Sequence, residues 1–562
     1  MTIFGIDLGT TNSLIALYRD GRAELAPNRF GQVLTPSIVS LDDNGALIVG
    51  SLAKEISILQ PHKAARVFKR GMGSTQRYNV GSASYTAVEL SSFVLRSLKE
   101  DAEHHFKIPV TRAVISVPAY FNNHQRQATI QAAQLAGITV ERLINEPTAA
   151  ALAYSLHDQE EDAHILVLDL GGGTFDVSII EKFDDIMEIH ASGGDNFLGG
   201  EDFTKVMEKI LGEKAGHLAQ DAAFVRKTPQ YAEQLKVALA NTDMASLEIV
   251  GAADRKRIEV SRQEFEKRAE ELIERIKAPI LRTLRDSGLK PQDITHVVLV
   301  GGSTRLFFMR RLVTSLLGKM PTSHLDPDTV VAIGAASQAA LISKNQGIAD
   351  KVLTDVCPYS LGVEIAQSSG SGQYEAGIFS PIIERNQPIP CSRSELYRPI
   401  HPKQKELNLR IFQGESLKVE NNILIGELSI SLGRKEPEKE SIEVRFTYDI
   451  SGVLEVEATV VSTGARHRII INNSASHLSD AELNQRFLEL AALKIHPRDQ
   501  AANQHLLTKA ERLYEETLGD VRNYLSELII TFKGILNQQN PQEIEKAQQD
   551  FAERLAEIEG RL

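Results

Sequence analysis

Two stretches of this 562-residue chain share one pattern. "FGIDLGTTNSLIAL", from Phe4, and "LVLDLGGGTFDVSII", from Leu166, each run from an apolar strand through Asp-Leu-Gly and small residues into a second apolar strand. A hairpin tip of Gly and Thr exposes backbone N–H groups with no large side chain in the way, and such concave clusters bind phosphate. Gly9, Thr10 and Thr11 would form one cradle, and Gly171, Gly172, Gly173 and Thr174 the other. Facing each other across a cleft, they would clamp a polyphosphate. Asp7 and Asp169 at the strand ends cannot touch phosphate directly; they fit as outer partners of a hard cation that keeps its waters. One Asp-Leu-Gly is an ordinary turn. Its recurrence after 162 positions, again between strands, argues for an internal duplication of two α/β lobes. A third stretch, "VVLVGGSTR" (residues 297–305), reads as a buried strand, Gly301-Gly302 and a helix start. Alone it is a βα turn; beside two phosphate cradles a nucleoside-facing role fits better.

The surrounding elements must hold these tips. To about residue 350, β-branched runs such as "RAVISVPAYF", "HILVLDL" and "ITHVVLVGG" alternate with amphipathic helical patterns such as "NHQRQATIQAAQLAGI". That alternation predicts sheets covered by helices. From "DVCPYSLGVEI" the helical period disappears. Ile442, Val444, Phe446 and Tyr448 share one strand face and Leu454, Val456, Ala458 and Val460 another, around a turn near Ser451-Gly452, which predicts a half-buried hairpin in an antiparallel sandwich. The last segment reads as helical. Ser479 with Glu482 forms a candidate capping box, and Asn540 with Pro541 a candidate helix start. The expected division is 1–350, a linker 351–357 within "ADKVLTDVCP", a β-domain 358–475 and a helical lid 476–562.

Composition excludes several classes. The net charge is −12 and no Lys/Arg run would release counterions from nucleic acid or hold an anionic membrane. Cys357 and Cys391 are the two cysteines, too few for a disulfide scaffold or a CxxC metal pair, so reduced thiols in a cytoplasmic protein are expected. The N-terminus reads as a strand rather than a signal peptide, and no apolar run approaches the ~20 residues of a membrane span.

In this order the three glycine stretches resemble the actin, sugar-kinase and Hsp70 superfamily. The finer match is to Hsp70 chaperones: "GIDLGTTNS", "VISVPAYFNNHQRQAT", "LINEPTAAALAY", "LDLGGGTFDVS", "FLGGEDF" and "VVLVGGSTR" are nearly verbatim signatures of that family. The short, divergent C-terminal half looks most like the bacterial HscC-type branch. The resemblance covers nearly the whole chain and implies a multidomain fold: an α/β actin-like ATPase of duplicated RNase H-like lobes, then an antiparallel β-sandwich and an α-helical lid. It implies ATP hydrolysis that gates binding and release of extended apolar peptides, with ATP or ADP, Mg²⁺ and K⁺ as cofactors. A J-domain co-chaperone and a nucleotide exchange factor are the implied partners.

By the same resemblance, Asp7 and Asp169 would hold hydrated Mg²⁺, and Lys69, in "VFKR", would position the attacking water and γ-phosphate, with Thr174 beside it. Glu146 and Asp176 match carboxylates that order metal-bound waters. Glu233 and Lys236 match ribose contacts, while Gly199, Gly200, Gly301, Gly302, Ser303, Arg305 and Asp328 match the nucleotide grip. Pro118 and Arg126 match positions that relay nucleotide state to the linker at Asp355, and Arg142 matches a J-protein docking position. The peptide pocket would be lined by Val363, Tyr397, Leu407 and Leu409, with Ala366 and Ile400 as the arch. Taken singly, Lys69 and both arginines read as surface cations, Glu146 as a helix-start carboxylate, and the pocket residues as sandwich core.

The chain departs from the family in four places. Ala240 replaces a serine in the adenosine grip beside Val237, removing one polar contact at about 1 kcal/mol. Thr354 replaces an apolar linker residue, and Leu407 stands where valine is usual, which predicts a narrower client range. The chain ends "AEIEGRL", without the acidic tetrapeptide of eukaryotic cytosolic members, behind a short lid. A sugar kinase would need an acceptor pocket with an aspartate base and no sandwich, an actin-like filament protein would lack residues 358–562, and a nucleotide-gated binding module would differ only in whether Lys69 and Asp176 still work.

Overall fold

The computed structural model describes residues 2–42, 44–156, 162–183, 186–250, 255–322, 325–343, 352–368, 374–400, 404–432, 440–449, 452–471, 487 and 490–559. Its chain forms two compact units. One holds Met1–Ser360 and Glu384–Ile389; the other holds Leu361–Ile383 and most of the chain from Pro390 onward.

The first unit contains the duplication. One sheet orders its strands Thr139–Asn145, Arg112–Val117, Phe4–Leu8, Asn12–Arg19 and Arg22–Leu25. The other orders them His296–Val300, Asp162–Leu170, Phe175–Phe183, Ile186–Asp195 and Val352–Val356. In both, an antiparallel hairpin comes first in the chain and its first strand later gains a parallel partner: Phe4 pairs with Ala113, and Ile165 with His296. Strands buried on both faces need continuous apolar runs, and Ile165–Leu168 and Ile179–Ile180 are fully buried for that reason. Two Ala-rich helices, Glu146–Ser155 and Val330–Ile342, cross where a Cβ on Gly334 would stand 1.8 Å from the Ala149 carbonyl oxygen. The missing side chain sets that helix spacing.

The expected linker is itself a strand. Val352–Val356 runs parallel to Ile186–Glu188, with Glu188 opposite Thr354, and Val356 is buried in the same cluster as Ala149, Val167 and Ile189.

The second unit holds two four-stranded antiparallel sheets and a helical bundle. The predicted hairpin forms between Ile442–Tyr448 and Leu454–Val460, with Phe446 paired to Val456, and all eight singled-out apolar residues are buried. Gly452, with φ 82°, turns it; Ser451 lies outside the described residues. Helices Ala501–Glu516, Gly519–Gln538 and Pro541–Glu559 enclose Leu513, Leu525, Phe532, Leu536, Phe551 and Leu555. Asn540 Oδ1 accepts from Gln542 N at 3.2 Å, as a helix-start residue does, whereas Ser479 and Glu482 lie outside the described residues.

Gly334→Ala should force the crossed helices apart and destabilise the first unit by about 1–3 kcal/mol. Urea unfolding of the full chain would read it as an earlier first transition; an unmoved midpoint would mean that the crossing relaxes freely.

Candidate active site

The two glycine tips meet. A Cβ on Gly172 would stand 1.7 Å from Thr11 Oγ1, so the tips face each other at a distance only glycine allows. Together they line a cleft of about 1760 Å³ that also takes in Asp7, Lys69, Glu146 and Asp169. Gly173, Gly199 and Asp176 lie behind that lining: Gly199 packs against the Gly172–Gly173 backbone, and Asp176 is the antiparallel partner of Asp169.

At the cleft floor charge is unbalanced. Lys69 Nζ donates to Glu146 Oε1 at 2.7 Å, with both residues buried, and lies 5.5 Å from the Phe121 ring centroid. Ser116 Oγ donates to Asp7 Oδ1 at 2.7 Å, and Tyr120 N to Asp176 Oδ1 at 3.1 Å. Four carboxylates, Asp7, Glu146, Asp169 and Asp176, thus share one lysine. Burial, reinforced by Glu146, pushes Asp7 up to about 6 and Asp176 up to about 8 from an ordinary 3.8. The same causes, with Asp176 and Asp7 added, raise Asp169 well above its ordinary value. Asp176 Oδ2 is buried with no hydrogen-bond partner among the described residues. Excess carboxylate with an orphaned oxygen suits a cation held through its own waters, which would restore the ionised forms; among the described residues no three acidic, His or Cys side chains gather closely enough to ligate a metal directly.

The end of the cleft expected to face a nucleoside is built by short polar contacts. Lys236 Nζ donates to Gly200 O at 3.1 Å and to Thr204 Oγ1 at 2.8 Å, and pairs with Glu233 at 2.7 Å. Ser303 Oγ donates to Gly171 O at 2.9 Å, tying the third glycine turn to the second cradle. Gly302 packs against Asp328, which pairs with Arg305 at 2.8 Å, and Gly301 packs against Leu170 O and Asp169. Val237 and Ala240 both line the cleft. Sequence reasoning missed two ties between the lobes: Arg66 Nη2 donates to both Glu201 carboxylate oxygens, at 2.8 and 2.7 Å, and Arg70 binds Asp202 and the Gly173 carbonyl, the latter at 2.9 Å. The only local signal for Arg70 was its place after Lys69.

The relay residues converge on one asparagine that the sequence did not mark. Asn145, beside Glu146, accepts from Arg126 Nη2 at 2.6 Å and donates to Asp355 Oδ1 and Oδ2 at 3.1 and 2.9 Å. Burial raises the Asp355 pKa, while Arg126 and Arg142 oppose the rise. Pro118 opens the turn that leads to Phe121, whose carbonyl accepts from Arg126 Nε at 3.0 Å.

In the second unit Val363 and Leu409 are buried in the sandwich, at 0% and 4% exposure. Leu407, on the Leu409 and Ile411 face, is partly exposed, as are Ala366, Tyr397 and Ile400. Ala366 falls at the register shift between Ile365 and Gln367, and the Tyr397 hydroxyl meets Ser380 Oγ at 3.0 Å. Both cysteines are buried and neither is in a disulfide, and burial pushes the Cys391 thiol up to about 12.

A family model described as "Hsp70 protein" matches residues 3–561. The chain is 38% identical over 488 residues to the "Chaperone protein DnaK" of Thermotoga neapolitana, an alignment covering 84% of this chain and 80% of that protein. Among the described residues no helix is long and apolar enough to cross a membrane.

A carboxyl group whose folded pKa exceeds its unfolded one stabilises the fold at low pH and loses that contribution as pH rises through the folded value. For Asp7 that window runs from 3.8 to about 6, and for Asp176 from 3.8 to about 8. The ligand-free chain should therefore lose stability across it. Mg²⁺, which needs the ionised forms, should bind more tightly as pH rises. Thermal melts with and without Mg²⁺ and ADP at about pH 5.5 and about pH 8 test this; an equal ligand-induced rise in Tm at both contradicts it.

Proposed function

The chain belongs to the Hsp70 family, an ATP-dependent chaperone whose ATP hydrolysis is coupled to peptide binding and release, and from that premise we propose how its residues divide the work. Members of the family bind ATP or ADP with Mg²⁺ and act on unfolded peptides with co-chaperones. The ATPase domain is assigned to residues 1–350, the linker to 351–357, the peptide clasp to 358–475 and the lid to 476–562.

Gly9, Thr10, Thr11 and Gly171–Thr174 hold the phosphates through backbone N–H groups. The observation that carries this reading is the tip-to-tip approach of Gly172 and Thr11 above the carboxylate floor. Lys69, held by Glu146, orients the attacking water and stabilises charge on the transferring phosphoryl group, and Thr174 stands beside it. Asp7 and Asp169 would hold a hydrated divalent cation, with Glu146 and Asp176 ordering its waters. That cation would supply charge neutralisation to the transferring phosphoryl group. Glu233 and Lys236 take the ribose. Gly199, Gly200, Gly301, Gly302, Ser303, Arg305 and Asp328 complete the grip, and K⁺ would be a second cation of the site.

Pro118, Arg126, Asn145 and Asp355 connect the nucleotide state to the linker, and Arg142 offers a docking point to a J-domain partner. A nucleotide exchange factor completes the cycle in the cytoplasm. In the second unit Leu407, Tyr397, Ala366 and Ile400 meet the client, while Val363 and Leu409 shape the pocket from beneath. An extended peptide pairs its backbone with a strand edge while the pocket selects one apolar side chain. With the added methylene of Leu407 narrowing that pocket, the client range is restricted.

Lys69→Ala should lower single-turnover ATP hydrolysis by roughly 10²–10³-fold, with ATP affinity nearly kept; unchanged turnover removes the assignment. A J-domain protein plus an apolar peptide should stimulate the wild-type rate. Leu407→Val in the full chain should broaden binding on a peptide array, and an unaltered profile would defeat the pocket argument.

A further inference from the structure

One contact in the first unit reaches the catalytic floor from the end of the linker strand. After Val352–Val356 the chain is anchored at Cys357, whose N donates to Gln387 O at 2.9 Å and whose carbonyl accepts from Asn386 N at 2.7 Å. Two residues on, the Tyr359 ring packs on the Tyr120 ring, centroids 4.5 Å apart and planes inclined by 41°. Its hydroxyl donates to the Tyr120 carbonyl at 2.8 Å. Asn196 Nδ2 donates to the same carbonyl at 2.7 Å. The amide of Tyr120 in turn donates to Asp176 Oδ1 at 3.1 Å.

We propose that the Tyr359 hydroxyl is a positioning group for the Asp176 carboxylate, acting through Tyr120. The amide and carbonyl of Tyr120 lie in successive peptide planes hinged at one Cα. Fixing the carbonyl with two donors limits the rotation that would carry the amide away from Asp176. Asp176 is sensitive to such a shift because its Oδ2 is buried without a partner among the described residues, and the backbone groups that reach its carboxylate, at Ala119 and Tyr120, lie in the one turn that Tyr359 fixes. The packing is tight: a Cβ on Gly194 would meet Asp176 Oδ1 at 3.1 Å and Tyr120 Cβ at 3.3 Å. Burial pushes the Tyr359 phenol pKa upward, so the hydroxyl keeps its proton and remains a donor. Tyr359 does not line the nucleotide cleft, so its effect falls on the chemical step rather than on ATP binding.

The inference rests on the proposed role of Asp176 and is tested with it. In the full chain, Tyr359→Phe keeps the ring and removes the donor. It should lower kcat by about three- to tenfold with KM for ATP unchanged. Asn196→Ala, which removes the other donor on that carbonyl, should act in the same direction. In an Asp176→Asn background, Tyr359→Phe should have no further effect. The proposal falls if Tyr359→Phe and Asn196→Ala both leave kcat as it is. It also falls if the loss from Tyr359→Phe is as large in the Asp176→Asn background, or if KM moves in place of kcat. Wild-type turnover by Asp176→Asn alone would overturn the role given to Asp176, and this inference with it.

Discussion

Four carboxylates gathered around one buried lysine, three of them buried and Asp7 half-buried, are the constraint on which the rest of the first unit depends. Like charges in a low-dielectric site raise one another's pKa values and oppose folding unless a cation or protons intervene. Asp7, Asp169 and Asp176 all show that pressure. Such a cluster persists only where the surrounding structure over-determines it. Here two lobes of matching strand order bring equivalent strand ends together, and each contributes one aspartate at the same place in its hairpin. A fold made from one lobe would present one cradle and half of the carboxylates, either Asp7 with Glu146 or Asp169 with Asp176.

Closure of the lobes is held by contacts of different kinds. At the helix crossing, Gly334 against Ala149 sets a fixed spacing, because packed cores yield little. Beside the glycine tips, Arg66 with Glu201 is a part-exposed ion pair, weak and screened by salt, whereas Arg70 with Asp202 is a more buried two-point pair. A rigid fulcrum with polar clasps suits a cleft that must open. The loop carrying these arginines is itself strained: Val67 sits at φ 59°, where a β-branched residue seldom goes. That turn lies immediately before Phe68 and Lys69, so local strain accompanies the placement of the single buried cation at the floor.

Features encoded over a few adjacent residues were legible before any coordinates. The two Asp-Leu-Gly tips, the alternation in Ile442–Tyr448 and Leu454–Val460, and the Asn540 start are local in this sense, and local chemistry decides them. What escaped reading depends on register between distant strands. Tyr120, Asn145 and Ser116 carry no unusual spacing, yet each holds a carboxylate that the fold brings beside it. Burial escaped for the same reason. Val363 and Leu409 share their alternation with partly exposed Leu407, and only the pairing of sheets separates the covered end of that face from the open one.

The linker shows how a side-chain departure and a backbone structure separate. "KVLTDV" reads as a weakened apolar run because Thr354 interrupts it. A strand, however, is joined to its neighbour through backbone groups that any residue but proline supplies, and threonine is a favourable strand former. Val352, Leu353 and Thr354 accordingly keep register with Ile186, Met187 and Glu188. The apolar hold falls to Leu353 and Val356, which pack into the cluster of the crossed helices, while Asp355 answers to Asn145. Threonine at 354 therefore weakens the grip on the strand without moving it. A segment paired through its backbone but lightly anchored by its side chains can leave and return in the same register, as a reversible link between ATP turnover and peptide release requires.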